Sequence, residues 1–294
     1  MSLISVREVA LNETTFPFQT FDGITLLGRE WRFTDQAQAV VGLIHGLGEH
    51  SGRYTHVAER FAKEQIAMIA FDLRGHGRSE GKRGDAPSFE AYMEDLQAFQ
   101  KQIEARFGAT PCFLYGHSMG GLLLLNYLIR YQPKIRGAVA SAVGLHTPLT
   151  QQKLKMALVQ TLSRWMPTLG LPSGLDANAI SRDQTVVQRY KHDPLVHGVV
   201  TLRMAQSTIP AIDFVFRHAD QIDVPLLILH GTADQLTFPS GSQELAQRVR
   251  TAKLILFEGL AHELHNEPEK EMVFQAVLGW MKDLAFRDAT PDSS

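Results

Sequence analysis

The sequence contains a single cysteine, Cys112, so no disulfide can form within the chain and no cysteine-based zinc site is available. An excess of charge is also lacking, because 29 Lys and Arg residues nearly balance 31 Asp and Glu residues. Such a balance excludes the basic surface of a nucleic-acid-binding protein and a polybasic membrane signal. Residues 1–12 lack the pattern of a secretory signal, and no apolar run is long enough to span a bilayer. We therefore expect a cytoplasmic protein that binds no nucleic acid.

What the sequence does have is an alternation of strand-like and helical segments. Two strand-like runs joined by Asp22 and Gly23 predict an opening hairpin. Short apolar runs then alternate with segments of helical spacing, which predicts a mostly parallel sheet with helices on both faces. Residues 144–220, the insert, interrupt this alternation with helical segments and no convincing strand. We predict an α/β core of residues 1–143 and 221–294, with the insert as a helical cap over the carboxyl ends of the strands.

A candidate nucleophile lies in a Gly-x-Ser-x-Gly motif at residues 116–120. The motif directly follows the predicted strand 112–115 and directly precedes the predicted helix 119–131. A nucleophile on so tight a turn needs small neighbours, and the motif's glycines meet that need. The alternative is a glycine-rich turn with an incidental serine. The strand before it and the helix after it favour Ser118 as the nucleophile of a serine hydrolase.

A serine nucleophile needs a base and an acid, and two later loops supply candidates. His262 lies after one predicted strand, and Asp234 lies after the strand before that. In hydrolases whose nucleophilic serine lies on a strand-to-helix turn, the catalytic residues follow one another in the order Ser, Asp, His. Ser118, Asp234 and His262 have that order. Asp220 and Asp223 are alternative acids, although they precede the strand. The other histidines near predicted strand ends are His45, His50, His76, His117, His230 and His265.

An oxyanion needs two backbone N–H donors. We expect them from Met119, directly after the nucleophile, and from Leu47, in the loop after the third strand. That same loop, with Gly46, Gly48, Gly52 and the later Asp72, imitates a dinucleotide fingerprint. The third glycine is one position late, which leaves an NAD-dependent oxidoreductase as a distant alternative.

The segment 262–265 imitates a second motif, that of zinc proteases. Its two histidines are one residue too close for His-Glu-x-x-His. The predicted triad chemistry needs no metal and no organic cofactor.

Five segments together resemble the monoacylglycerol lipase and lysophospholipase branch of the α/β-hydrolases, which includes serine aminopeptidase-like hydrolases. The resemblance spans residues 16–283 and rests on residues 45–54, 71–81, 116–121, 230–234 and 261–267. It implies an eight-stranded sheet with a helical cap inserted after the sixth strand. It also implies release of a fatty acid from a monoacylglycerol, lysophospholipid or related ester through an acyl-enzyme.

The resemblance further implies polar residues around the glycerol end of the substrate. These positions correspond here to Glu49, Arg53, Tyr190 and His265. For Glu49 and Arg53, the alternative is a solvated start of a helix. The reactive lid cysteines of the mammalian lipase are missing.

The insert is rich in apolar residues, which pack it on the core or line an acyl tunnel. They are Leu154, Leu158, Leu162, Trp165, Leu169, Leu171, Val199, Leu202, Met204, Ile209, Phe214 and Phe216. Trp165 and Met166 are candidates for an exposed edge that makes transient contact with a membrane surface.

Three other functions remain open from the sequence. One is an esterase or thioesterase with the same triad, and another is an aminopeptidase that grips an amine through Glu49. The third is a non-catalytic binding protein, against which the complete triad argues. The natural substrate and the oligomeric state also remain open.

Overall fold

The computed structural model describes residues 11–33, 36–148 and 159–285. Leu154 and Leu158 of the predicted tunnel and the tail 287–294, which we predict to be disordered from its polarity, lie outside the described residues. The predicted mostly parallel sheet of eight strands is confirmed, with strand order β1-β2-β4-β3-β5-β6-β9-β10. These strands are β1 (Asn12–Gln19), β2 (Thr25–Arg32), β3 (Ala39–Ile44), β4 (Ile66–Phe71), β5 (Cys112–His117), β6 (Gly137–Ser141), β9 (Leu226–Gly231) and β10 (Ala252–Phe257).

The first two strands form the predicted hairpin, and β2 also pairs antiparallel with β4. All the other pairs in the sheet are parallel. Parallel strands buried on both faces appear as continuous apolar runs, as β4 does. Ala67, Ile69 and Phe71 of that strand face one hydrophobic core, and the alternate residues face the other.

Helices cover both faces of the sheet, as predicted. The described helices of at least eight residues are α1 (Thr55–Ala62), α2 (Phe89–Phe107), α3 (Met119–Tyr131), α4 (Gln184–His192), α5 (Leu202–His218), α6 (Pro239–Arg248) and α7 (Lys270–Ala285). Side chains of α2 and α3 join one core, and side chains of α1 and α7 join the other. Helix α2 begins after Ser88, an N-cap residue whose hydroxyl accepts the N–H of Ala91 at 3.2 Å.

The insert differs from the prediction in one respect. It contains two strands, β7 (Gly170–Pro172) and β8 (Val199–Thr201), which pair antiparallel. The expectation of an insert without strands was therefore wrong. Three-residue strands are too short to show a period of two, so no pattern in the sequence announces them.

The insert packs closely on the rest of the fold. Met204, Ile212 and Val215 of α5 join the core that α2 and α3 cover. An ion pair between Arg203 and Asp85 anchors the start of α5. In the part of the chain that the structure describes, no helix has the length and apolar character needed to cross a membrane.

Candidate active site

Ser118 lies on the turn between β5 and α3, with φ of 54° and ψ of −116°. A positive φ is strained for a residue other than glycine, and such strain occurs mainly at functional sites. The turn closes because its glycines leave room. A Cβ at position 116 would lie 2.5 Å from the carbonyl oxygen of Gly120, and one at position 120 would lie 2.2 Å from that of Ile44. The N–H of Ser118 donates to the carbonyl of Ser141 at 2.9 Å, which fixes the turn on β6.

Asp234 and His262 come together from the loops that follow β9 and β10. Nδ1 of His262 lies 2.8 Å from Oδ2 of Asp234, and both side chains are buried. This contact makes the other ring nitrogen, Nε2, the one that is free to act on a substrate or nucleophile. His262 and Ser118 line the same cavity.

The electrostatics of this pair suit a base and its supporting acid. Burial would raise the pKa of Asp234, but His262 and a hydrogen bond from His230 outweigh burial and hold that pKa well below its usual range. Burial would lower the pKa of His262, but the charge of Asp234 and its hydrogen bond raise it instead. The carboxylate therefore stays ionised and stabilises the imidazolium when a proton arrives.

Three further residues fix the Asp234 carboxylate through four contacts, and sequence reasoning missed their role. Oδ1 accepts the backbone N–H groups of Leu236 and Thr237 at 2.8 and 3.0 Å. The hydroxyl of Thr237 donates to Oδ2 at 2.8 Å, and Nε2 of His230 lies 3.2 Å from the same oxygen. In the sequence, His230 is one of several histidines near strand ends and the first residue of segment 230–234, and neither feature indicates a contact with Asp234.

His117, next to the nucleophile, is buried between two other histidines. Its ring centre lies 4.8 Å from that of His262 and 5.0 Å from that of His265. Burial, together with the nearby His262, lowers the pKa of His117 to about 3, so this ring is neutral at pH 7. His265 is 1% exposed and stacks on Tyr54 at 4.7 Å.

A cavity of about 210 Å³ opens beside Ser118 and His262. Its walls are mostly apolar and include Leu122 of α3 and Val200, Met204 and Ala205 of the insert. Among the described residues of the predicted tunnel, Met204 lines this cavity. Leu162, Trp165, Leu169 and Leu171 are instead 37–83% exposed.

Leu47 and Met119, the expected oxyanion donors, also line this cavity beside Ser118. Met119 is the first residue of α3, so its N–H belongs to the positive end of the helix dipole. The two residues from which we expect the oxyanion donors therefore line the same cavity as Ser118.

A second, much smaller recess of about 10 Å³ also lies beside Ser118. Of the four residues expected around a glycerol, Glu49 and Tyr190 line this recess. Arg53 lies behind it, and His265 lies behind His117. Glu263, which sequence reasoning did not single out, also lines it.

The Glu49 carboxylate is tightly held rather than solvated. It accepts the N–H of Gly46 at 2.6 Å, the hydroxyl of Tyr54 at 2.8 Å and a guanidinium N–H of Arg53 at 2.6 Å. Burial would raise the pKa of Glu49, but Arg53 and nearby histidines lower it well below its usual range. The alternative of a solvated helix start is wrong for Glu49, which is 2% exposed.

The residues that resemble a dinucleotide-binding motif and a zinc-protease motif make other contacts in the structure. The Asp72 carboxylate accepts the N–H groups of Ser51 and Arg78, each at 2.8 Å, and so ties two loops together. Glu263 pairs with Arg53, and His262 pairs with Asp234. Within the described ranges, no group of three or more His, Cys, Asp or Glu side chains is arranged to hold a metal ion.

Comparisons with known proteins show the family to which this chain belongs. The model of the family described as Serine aminopeptidase, S33 matches residues 35–269. The monoacylglycerol lipase of Mycolicibacterium smegmatis is 33% identical over 93% of this chain and 98% of its own length. The crystal structure of Paleococcus ferrophilus monoacylglycerol lipase is 34% identical with a TM-score of 0.77, and the match covers 93% of this chain and 98% of that one.

An uncharacterized abhydrolase domain-containing protein of Dictyostelium discoideum is 37% identical over 90% of this chain. The match spans 28% of that longer protein. The matched part of this chain therefore spans a little more than a quarter of that relative's length.

Proposed function

We propose that this chain, which belongs to the Serine aminopeptidase, S33 family of α/β-hydrolases, is a lipase that releases a long-chain fatty acid from a monoacylglycerol. The observation that carries the proposal is the position of Ser118 and His262 at an apolar cavity, beside a recess that Glu49 and Glu263 also line. The cavity suits an acyl chain, and the recess suits an alcohol. A substrate that combines the two is an ester of a fatty acid with a small polyol.

The proposed reaction is acyl transfer in two steps. The Ser118 hydroxyl attacks the ester carbonyl while Nε2 of His262 takes its proton, and Asp234 stabilises the resulting imidazolium. The N–H groups of Leu47 and Met119 hold the oxyanion. His262 gives its proton to the alcohol, which leaves Ser118 acylated. His262 then takes a proton from water, and the hydroxide attacks the acyl carbon. The bond between that carbon and the Ser118 oxygen breaks, the fatty acid leaves, and His262 returns the proton to Ser118.

The acyl cavity is tested by filling it. Met204→Trp adds a larger side chain to the wall of the cavity. We expect kcat/KM for p-nitrophenyl esters to fall by about tenfold or more for long acyl chains and by less than about twofold for acetate, since only long chains reach the filled volume. The wild type itself should prefer long chains.

The matched control is Met272→Trp, at a position on α7 that is 59% exposed. This variant should retain the wild-type preference. A wild type with a strict preference for acetyl esters would contradict the cavity's assignment, as would equal losses for all chain lengths in a Met204→Trp variant that melts normally.

We further propose that the insert acts as a lid on the core of residues 1–143 and 221–294. Two backbone hydrogen bonds support this, because they join the insert to the loops of the site. The N–H of His197 donates to the carbonyl of Gly48 at 2.8 Å, and the N–H of Glu263 donates to that of Ile180 at 2.7 Å. A cytoplasmic location is also part of the proposal, and a single cysteine supports it because a reducing compartment favours free thiols.

An exposed apolar edge of the insert supports a transient membrane contact. Trp165 is 83% exposed and Met166 is 50% exposed, next to the partly exposed Leu162 and Leu169. We expect Trp165→Ser to weaken binding to phosphatidylcholine vesicles by about tenfold, since burial of a large apolar side chain in the interface is lost. Vesicle sedimentation measures the affinity.

Met272→Ser serves as the control, because it removes an exposed apolar side chain from α7. Its vesicle affinity should equal that of the wild type. Equal losses of vesicle affinity in both variants, or no loss in Trp165→Ser, would refute the proposed membrane contact of this edge. The hydrolase proposal would be unaffected.

A further inference from the structure

We propose that Glu263 is a specificity-determining residue, which makes the recess beside Ser118 accept uncharged alcohol groups and reject anionic ones. The inference rests on the proposed ester hydrolysis and names the substrate class more narrowly. According to this inference, the protein hydrolyses monoacylglycerols and discriminates against monoacylglycerol phosphates. The two substrates can carry the same acyl chain and then differ only in the phosphate group.

Glu263 pairs with Arg53, the cation that would otherwise be available to bind a phosphate. Its two carboxylate oxygens accept two guanidinium N–H groups of Arg53 at 2.6 and 2.7 Å, which is a bidentate pair. A third contact, at 2.6 Å, joins Arg53 to Glu49. One face of the guanidinium lies against the ring of Tyr190, with 4.8 Å between Cζ and the ring centre. Arg53 is thus paired with two carboxylates and covered by a ring.

The charges around the recess sum to a negative value. Glu49 and Glu263 contribute two negative charges, and Arg53 contributes one positive charge. The ionised Asp234 carboxylate is paired with His262, which also lines the recess, so this pair carries one negative charge when His262 is unprotonated and none when it is protonated. His117 is neutral at pH 7. These groups are buried, so solvent screens them weakly and a like charge brought close to them is disfavoured.

The size of the recess favours the same ligands. Its volume of about 10 Å³ is close to that of a single water-sized group. A hydroxyl fits that space and finds acceptors in the carboxylates that line it. A phosphate is larger, carries charge and would need a free donor set.

The Glu263 side chain is hydrogen-bonded to Arg53 and Asn266, whereas its charge helps to raise the pKa of His262. That effect on the base acts on both substrates alike, so it cancels when two substrates are compared. Glu263 follows His262 in sequence, but its side chain turns away to Arg53, and Nδ2 of Asn266 donates to it at 2.7 Å. Gln at this position keeps the shape and one acceptor, and it leaves Arg53 paired with Glu49. The change removes one negative charge from the recess.

The experiment compares kcat/KM for a monoacylglycerol and for the monoacylglycerol phosphate of the same acyl chain, in wild type and in Glu263→Gln. We expect the wild type to prefer the uncharged ester by about 100-fold, since like charges in a partly buried site repel strongly. Glu263→Gln should lower this preference by about tenfold, mainly through faster cleavage of the phosphate substrate. The control Glu271→Gln, which removes an exposed carboxylate on α7, should retain the wild-type preference.

A wild type that cleaves both esters equally overturns the inference and leaves the hydrolase proposal standing, whereas one that cleaves neither overturns both. An unchanged preference in Glu263→Gln overturns the role of Glu263. If Glu263→Gln does not fold, inhibition of the wild type decides. Glycerol should then inhibit hydrolysis at concentrations at least about tenfold lower than glycerol phosphate, and equal inhibition overturns the inference.

Discussion

Replacing Ser118 with alanine lowers kcat/KM for monoacylglycerol hydrolysis by about 10⁴-fold or more. The variant removes the only group that we propose to form a covalent bond with the substrate. Alanine keeps the Cβ, so the tight turn and the strained backbone at φ of 54° remain as they are. The cavity and the recess that Ser118 lines are retained as well. Steady-state hydrolysis with a long-chain ester measures the loss.

The matched control is Ser240→Ala on α6, whose hydroxyl is exposed and contacts His146 at 3.0 Å. It should retain wild-type turnover. Thermal melting of both variants separates loss of chemistry from loss of fold. A Ser118→Ala protein that melts normally and keeps a tenth of the wild-type rate would refute Ser118 as the nucleophile.

Asp234→Asn lowers turnover by about 10³- to 10⁴-fold and leaves the fold intact. The amide cannot stabilise imidazolium charge, and its NH₂ group favours the wrong tautomer of His262. Asp234 raises the pKa of His262, so its loss lowers that pKa. The base must be unprotonated to act, and the acid limb of the residual pH–rate profile should therefore move to lower pH.

Asp223→Asn is the control, because Asp223 was an alternative acid in the sequence. The structure places it at the surface, 3.2 Å from Arg250, with 75% of its side chain exposed. It should leave both turnover and the pH profile unchanged. Unchanged turnover in Asp234→Asn, or a large loss in Asp223→Asn, would reassign the acid.

Much of the core could be predicted from the sequence because its signals are local. Ser88 caps a helix within three residues, and the glycines around Ser118 act on a single turn. A parallel strand that is buried on both faces appears as a short apolar run, so it can be recognised without knowing which strands pair with it. The chain order of Ser118, Asp234 and His262 then follows from the order of the strands.

The contacts around the site could not be predicted in the same way, because they join distant segments. Arg53 and Glu263 are 210 residues apart in the chain and 2.6 Å apart in space. The sequence near Arg53 is polar, which is equally typical of a solvated helix start. Thr237 and His230 support Asp234 through a loop geometry that no spacing pattern encodes. In the insert, three-residue strands carry no periodicity, so β7 and β8 were missed.

The central claim is that Ser118 becomes acylated during turnover. Its most direct test is to label the wild type with a fluorophosphonate, which bonds to an activated serine hydroxyl, and to locate the adduct by peptide mass spectrometry. We predict one adduct, on Ser118, with hydrolysis lost in proportion to labelling and no adduct in Ser118→Ala. An adduct on another residue that abolishes hydrolysis, or full labelling of Ser118 with hydrolysis retained, would contradict the account.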